Sequence, residues 1–170
     1  MTDQRLTDEL CDACADENLP KVLSLLQSGA EVNGLNTFKK TPLQVVKLSS
    51  TALVETLLDG GARPDVRDPD SGRTVTHDAA HEGSLDTVRA LMRAEANVNL
   101  VDEQGNLPLH LASRGGHLQV VQLLIPRTAY PRAPNGLGYT AAQLAHFHRR
   151  GGTATYIDKY LSANYSAMPL

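Results

Sequence analysis

Apolar positions along this chain fall into two alternating kinds of segment. One kind places branched aliphatics at i, i+3 and i+4, which line one face of a helix. Val88, Leu91 and Met92 are spaced this way, and so are Val120, Val121, Leu124 and Ile125. The other kind is shorter and carries small residues, Ala79 and Ala80 or Ala112 and Ser113, where a neighbouring helix can approach closely. Each pair of segments predicts a short first helix, a turn and a longer second helix. Polar stretches bearing glycine or proline, such as residues 66–73 and 128–139, separate the pairs. A single pair cannot bury its own apolar face, whereas stacked pairs bury it in one continuous core.

The pairs keep a fixed period. Segment openings stand at residues 41, 74, 107 and 140, and Gly72, Gly105 and Gly138 recur at the same step of 33. A closing tag runs through residues 30–33, 62–65 and 96–99. This period and the Thr-Pro-Leu-Gln or Leu-Pro-Leu-His openings resemble the ankyrin repeat. The resemblance implies an all-α solenoid of about five helix-turn-helix units joined by β-hairpin-like loops, with starts near residues 8, 41, 74, 107 and 140. Residues 1–7 are expected to be a polar lead-in, residues 8–161 one repeat domain and residues 162–170 a loose tail.

Individual units depart from the pattern. In the first, Cys11 falls in the slot of Gln44, His77, His110 and Gln143, and Cys14 in a small-residue slot. The second is one residue short, with 21 positions from Thr41 to Ala62 against 22 from Thr74 to Ala96. Its first-helix region holds Val45, Val46, Ser49, Ser50 and Thr51, all poor helix formers, which predicts a helix of about one turn. In the fourth, Gly115 and Gly116 separate the helices and Pro126 ends the second. In the fifth, Gly151 and Gly152 fall two or three residues late, and residues 156–161 are expected as its second helix.

Composition narrows the functions. A net charge of −3 with 21% charged residues argues against nucleic acid or a basic membrane surface as partner. No apolar run approaches the roughly 20 residues of a membrane span, and the polar N-terminus lacks a signal pattern. Cytoplasm and nucleus are the expected locations. Aromatics make up 4% with no tryptophan, so aliphatics and alanine must build the core.

Asp78 is the main misfit. Val45, Leu111 and Leu144 occupy its slot in other units, although Asp12 does so in the first. A carboxylate there is costly unless solvated or paired. It is either a solvated edge residue or an acidic anchor for a partner's arginine. Glu82 lies four residues on, and Asp68 and Asp86 flank it, an acidic set suited to orienting a partner. His77 and His110 are expected to tie the opening turns by hydrogen bonds. His77 and His81 superficially match a zinc motif, but Asp78 stands where that motif has glutamate and no third ligand is evident, so no metal is expected. Cys11 and Cys14 form a lone CxxC and read as buried structural cysteines. His146 and His148 are expected on an exposed side without a partner, and the glycosylation pattern at Asn164 is discounted. No phosphate loop, activated nucleophile or catalytic carboxylate pair stands out, so neither enzyme activity nor a cofactor is expected.

The shortened second unit, followed by His77-Asp78-Ala79-Ala80, Gly83 and Leu85-Asp86-Thr87, resembles the ankyrin-repeat inhibitors of the cyclin D-dependent kinases. Asn36-Thr37-Phe38, Gln44-Val45 with Lys47-Leu48, and Asn106 to Ala112 with Gly116-His117-Leu118 extend the likeness over roughly residues 8–145. It implies a monomeric inhibitor that binds the kinase subunit beside its nucleotide cleft, distorts the ATP site and weakens cyclin binding, so restraining passage from G1 to S. Such a protein acts by favouring an inactive arrangement. The implied contact set lies on the concave face of units two and three with their loop tips: Asn36, Phe38, Val46, Lys47, Leu48, Asp68, His77, Asp78, Glu82 and Asp86. Two departures stand out. Ser84 replaces an aromatic of the family, and Thr76 replaces a core aliphatic. The alternative is an adaptor that binds a different protein through the same face.

Overall fold

Helices form where the paired apolar segments stand. The computed structural model describes residues 3–165. Unit one holds α1 (Asp3–Ala15) and α2 (Leu19–Gln27), unit two α3 (Pro42–Val45) and α4 (Thr51–Asp59), and unit three α5 (Val75–Glu82) and α6 (Leu85–Arg93). Unit four holds α7 (Pro108–Gly115) and α8 (Leu118–Leu124), the latter prolonged by a 3₁₀ turn at Ile125–Arg127. Unit five holds α9 (Ala141–Phe147) and α10 (Gly151–Tyr165). No strand occurs among the described residues. The fold is an all-α solenoid of five units. First helices stack as a row in which α7 packs between α5 and α9, and second helices stack behind them as α4, α6, α8 and α10. Between the rows, Val22, Val54, Leu57, Val88, Leu91, Val121, Leu124 and Ile157 are fully enclosed.

The opening residues work as caps. Thr41, Thr74 and Thr140 accept the N–H three residues on, and the side chain at that residue accepts the threonine N–H in return. Leu107 has no hydroxyl, so only the return bond is made, from its N–H to His110 Nδ1 at 2.9 Å. The slot also bonds forward. His77 Nε2 donates to the Asn106 carbonyl and His110 Nε2 to that of Ala133, each at 2.9 Å. Because Nδ1 accepts, Nε2 carries the proton. Cys11 fills the slot in unit one with a longer contact, Sγ to the Lys40 carbonyl at 3.9 Å. Burial pushes the thiols of Cys11 and Cys14 up to about 12.

Each inter-unit loop closes as a hairpin. Asn36 N–H donates to Lys40 O, Asp102 to Asn106 O and Asn135 to Tyr139 O, all spanning four residues. The third-unit loop spans five, from Asp68 N–H to Arg73 O. That extra residue makes up for the one missing from unit two, which is why the openings at 41 and 74 keep step. Hairpin tips also bond to one another, Glu103 N–H to Ser71 O at 2.9 Å and Gly136 N–H to Gln104 O at 2.8 Å. Gly105 makes the second approach possible. Its φ is +75°, and a Cβ there would lie 2.6 Å from Gly136 N.

The first helix of unit two is one turn, as expected. Val46 leaves it in extended backbone (φ −63°, ψ 145°), and α3 packs mainly on α1. Three expectations change. Residues 3–7 are helical rather than a lead-in, because Thr7 Oγ1 bonds to Asp3 O at 2.9 Å and Gln4 reaches Asp8 and Leu35 O. Gly151 and Gly152 open α10 instead of forming the turn, which Arg149 makes at φ +59°. The helix then runs through residues 162–165 of the expected tail, while residues 166–170, with Ser166 of the glycosylation pattern, lie outside the described residues. Exposed His146 is partnered within the chain, 2.8 Å from Asp158. Two buried hydroxyls, Thr76 Oγ1 and Ser113 Oγ, have no hydrogen-bond partner.

Candidate protein-interaction face

The hairpins of units three and four and the first turn of α5 bring Asp68, Asp78 and Asp102 together with two cations, Lys40 and Arg73. Asp68 heads the hairpin. Its Oδ1 accepts the N–H groups of Asp70 at 2.8 Å and Ser71 at 3.0 Å, and its Oδ2 pairs with Lys40. Those bonds, the Lys40 contact first, hold its carboxyl well below the usual carboxylate range. Asp102 heads the next hairpin in the same way, accepting from Gln104 and Asn106, and its side chain is 2% exposed. Arg73 stands between the hairpins, with Nε 3.5 Å from Asp102 and Nη1 3.6 Å from Asp78.

Asp78 is therefore neither fully solvated nor fully paired. Its side chain is 47% exposed, and it shares its ion-pair partner, Arg73 at 3.6 Å, with Asp102. Burial pushes its carboxyl up from the ordinary value, while Arg73 and His77 oppose the shift. A guanidinium from outside could approach the open side of Asp78 while Arg73 stays on Asp102. Asp68, Arg73, Asp78 and Asp102 line one shallow concavity between the hairpin tips and α5.

The family described as ankyrin repeats (3 copies) matches this chain at residues 10–102, 44–135 and 87–157. Cyclin-dependent kinase 4 inhibitor B of Homo sapiens is 42% identical over 120 residues, covering 71% of this chain and 86% of that protein. Its counterpart in Mus musculus is 40% identical over 115 residues, 68% of this chain and 88% of the relative. Cyclin-dependent kinase inhibitor 2A of Homo sapiens is 37% identical over 136 residues, covering 80% and 87%. This chain belongs to the ankyrin-repeat cyclin-dependent kinase inhibitors.

In this family member the residues singled out from sequence divide by exposure. Phe38 stands 82% exposed at the tip of the first hairpin, shaped by Asn36, whose Oδ1 accepts the N–H groups of Phe38 and Lys40. Lys47 is exposed, 3.6 Å from Glu17. Glu82 is exposed at the end of α5. Asp86 lies on α6, 3.0 Å from Arg89, so neither it nor Glu82 lines the concavity of Asp68 and Asp78. Three residues of the set are buried. His77 is fully buried with both ring nitrogens bonded internally, and burial pushes its pKa down, so its ring supports the turn. Val46 and Leu48 are 5% and 7% exposed and belong to the core, where the Leu48 carbonyl accepts the Thr87 hydroxyl. In their segment, Lys47 is the side chain left on the surface.

Sequence reasoning missed Arg73 and Lys40, the cations that partly neutralise the acidic set. Both immediately precede a threonine opening, so the repeat phase would have placed them beside the hairpin heads. Ser84 is half-buried before α6. Its N–H bonds to Ala79 O at 3.0 Å and its hydroxyl caps nothing.

Proposed function

We propose that this chain inhibits a cyclin D-dependent kinase by binding the kinase subunit through the concave side of units two and three. The observation that carries this is identity of 37–42% with named cyclin-dependent kinase inhibitors over 68–80% of the chain. The geometry supports it with a one-turn α3 that leaves Lys47 exposed, the projecting Phe38, and the half-open carboxylate of Asp78. In this reading Asp78 receives a kinase arginine, and Phe38 and Lys47 add contacts at the rim. The inhibitor acts by population shift. It binds an inactive arrangement of the kinase lobes better than the active one, which disfavours ATP and cyclin binding. The cellular consequence is restraint of passage from G1 to S, exerted as a monomer in the cytoplasm and nucleus.

Calorimetric titration of the full chain into an isolated cyclin D-dependent kinase subunit tests this, with Asp78→Asn alongside. One-to-one binding weakened by about 2 kcal/mol or more in the variant is expected if Asp78 is a hot spot. The variant should stay folded by circular dichroism, with stability unchanged or slightly higher, because the carboxylate it removes is partly desolvated. Undiminished binding by a folded variant removes Asp78 from the interface. No binding by the wild-type chain would favour an adaptor for another protein.

A further inference from the structure

We propose that units four and five form a second docking groove, adjoining the kinase face at the Asp102–Asn106 hairpin, for an acidic segment of a partner protein bearing large apolar side chains. A terminal repeat ordinarily shows water a polar outer face. Here Leu137 is 82% exposed, Phe147 74% and Tyr139 42%. They stand around a concavity between the last hairpin and helices α7 and α9, with buried Leu111 and Leu144 also lining it. The rings are organised, Tyr139 lying 6.3 Å from Phe147 and His148 meeting Phe147 edge-on at 5.3 Å. Phe147 borders a second concavity with Gln143 and His146, so it is presented on both sides. An apolar patch of this kind marks an interaction site.

Charge selects the occupant. Residues 107–170 carry six Lys and Arg but one carboxylate, Asp158, whereas residues 1–106 carry ten Lys and Arg and eighteen Asp and Glu. Asp158 is held by His146. Arg114 and His148 line the groove, and Arg150 packs over Gly116 with its Nε bonded to Arg114 O at 3.2 Å. Two carboxylates border the groove from the third hairpin. Asp102 is enclosed beside Arg73, and Glu103 is exposed. The groove thus joins an aromatic wall to a basic end, which fits apolar anchors between Tyr139 and Phe147 and acidic side chains toward Arg114.

The probe is a short fluorescein-labelled peptide alternating Glu and Asp with Leu and Phe, titrated with the full chain by fluorescence anisotropy. Saturable binding that weakens with added salt is expected. Phe147→Ser and Arg114→Glu should each weaken it about tenfold with circular dichroism unchanged, and amide NMR shifts should concentrate at residues 137–148. Equal binding of a peptide with lysine in place of the acids, or unchanged binding by folded Phe147→Ser, would overturn the proposal. Sedimentation showing self-association that Phe147→Ser abolishes would make a second copy the occupant instead. Weaker kinase binding by Phe147→Ser would make the groove part of the kinase face and overturn a second docking site. Failure of kinase binding itself leaves the peptide result standing.

Discussion

Replacing Thr76 by valine isolates the energetic penalty of one buried hydroxyl. Thr76 is 0% exposed and its Oγ1 has no hydrogen-bond partner. Leu43 and Leu109 fill the same slot in units two and four with apolar side chains at 2% and 1% exposure. Leaving a hydroxyl desolvated and unpaired costs about 1–3 kcal/mol. Threonine and valine have the same branched shape, similar stiffness at χ1 and nearly equal helix propensity, so little else changes. Thr76→Val should therefore raise stability by about 1–2 kcal/mol. At this chain length each kcal/mol moves the melting temperature by roughly 2–4 °C, so a rise of about 2–8 °C is expected. Thermal and urea melts followed by circular dichroism would measure it, with an unchanged urea m-value showing that compactness is not the cause. Ser113→Ala, which reproduces Ala80 in the equivalent slot, should shift the midpoint the same way. A Thr76→Val midpoint at or below wild type, with the m-value unchanged, would refute the reasoning.

Other expectations follow from the same geometry. Burial lowers the pKa of His77 and His110, so the folded chain resists a proton that the unfolded chain takes up near pH ~6.5. Their neutral-state stability is complete above that value and is lost as the pH falls below it toward the folded-state pKa. The urea midpoint should drop between about pH 7.5 and 5.5, and less so in His77→Gln, which borrows the residue of Gln44 and Gln143; equal slopes would count against this origin. Gly105→Ala should destabilise the chain by about 2 kcal/mol or more, since φ is +75° and the new Cβ would meet backbone at 2.6 Å. A wild-type melting curve would show that the hairpins can part freely. Ser84→Phe should tighten kinase binding in the calorimetric assay, because Ser84 is half-buried beside α6 and its hydroxyl caps nothing. Unchanged affinity in a folded variant would remove that position from the interface.

Much of this molecule was legible because a solenoid repeats its chemistry. The threonine opening, the partner residue three positions on and the branched aliphatics of the second helix each recur in phase, so one unit explains the others. The one-turn α3 was legible for the opposite reason, since β-branched and serine residues stood where a helix needed better formers. Burial around that break was not. Val46 and Leu48 look exposed in a short irregular segment, but tertiary packing folds both inward. Cross-unit pairing was equally hidden. Lys40 meets Asp68 across 28 residues and Arg73 meets Asp102 across 29, which only the stacking of hairpins brings about. At the last turn, two glycines suggested the bend, yet they open α10 and non-glycine Arg149 takes the positive φ.

The abbreviated α3 has a consequence for how the array opens. Its packing is mainly on α1, while α5 joins the close-packed row with α7 and α9. In a quasi-linear array, stability sums over neighbouring interfaces, and the thinnest interface sets where it comes apart. The seams on either side of unit two are thus thinner than the later ones, so the N-terminal units are poised to fray at a lower free energy than global unfolding, held at the inner seam by α4 against α6 and by the Lys40–Asp68 and Thr87–Leu48 contacts. A ligand that grips units two and three together binds only the closed array there, so it raises the cost of fraying at the inner seam.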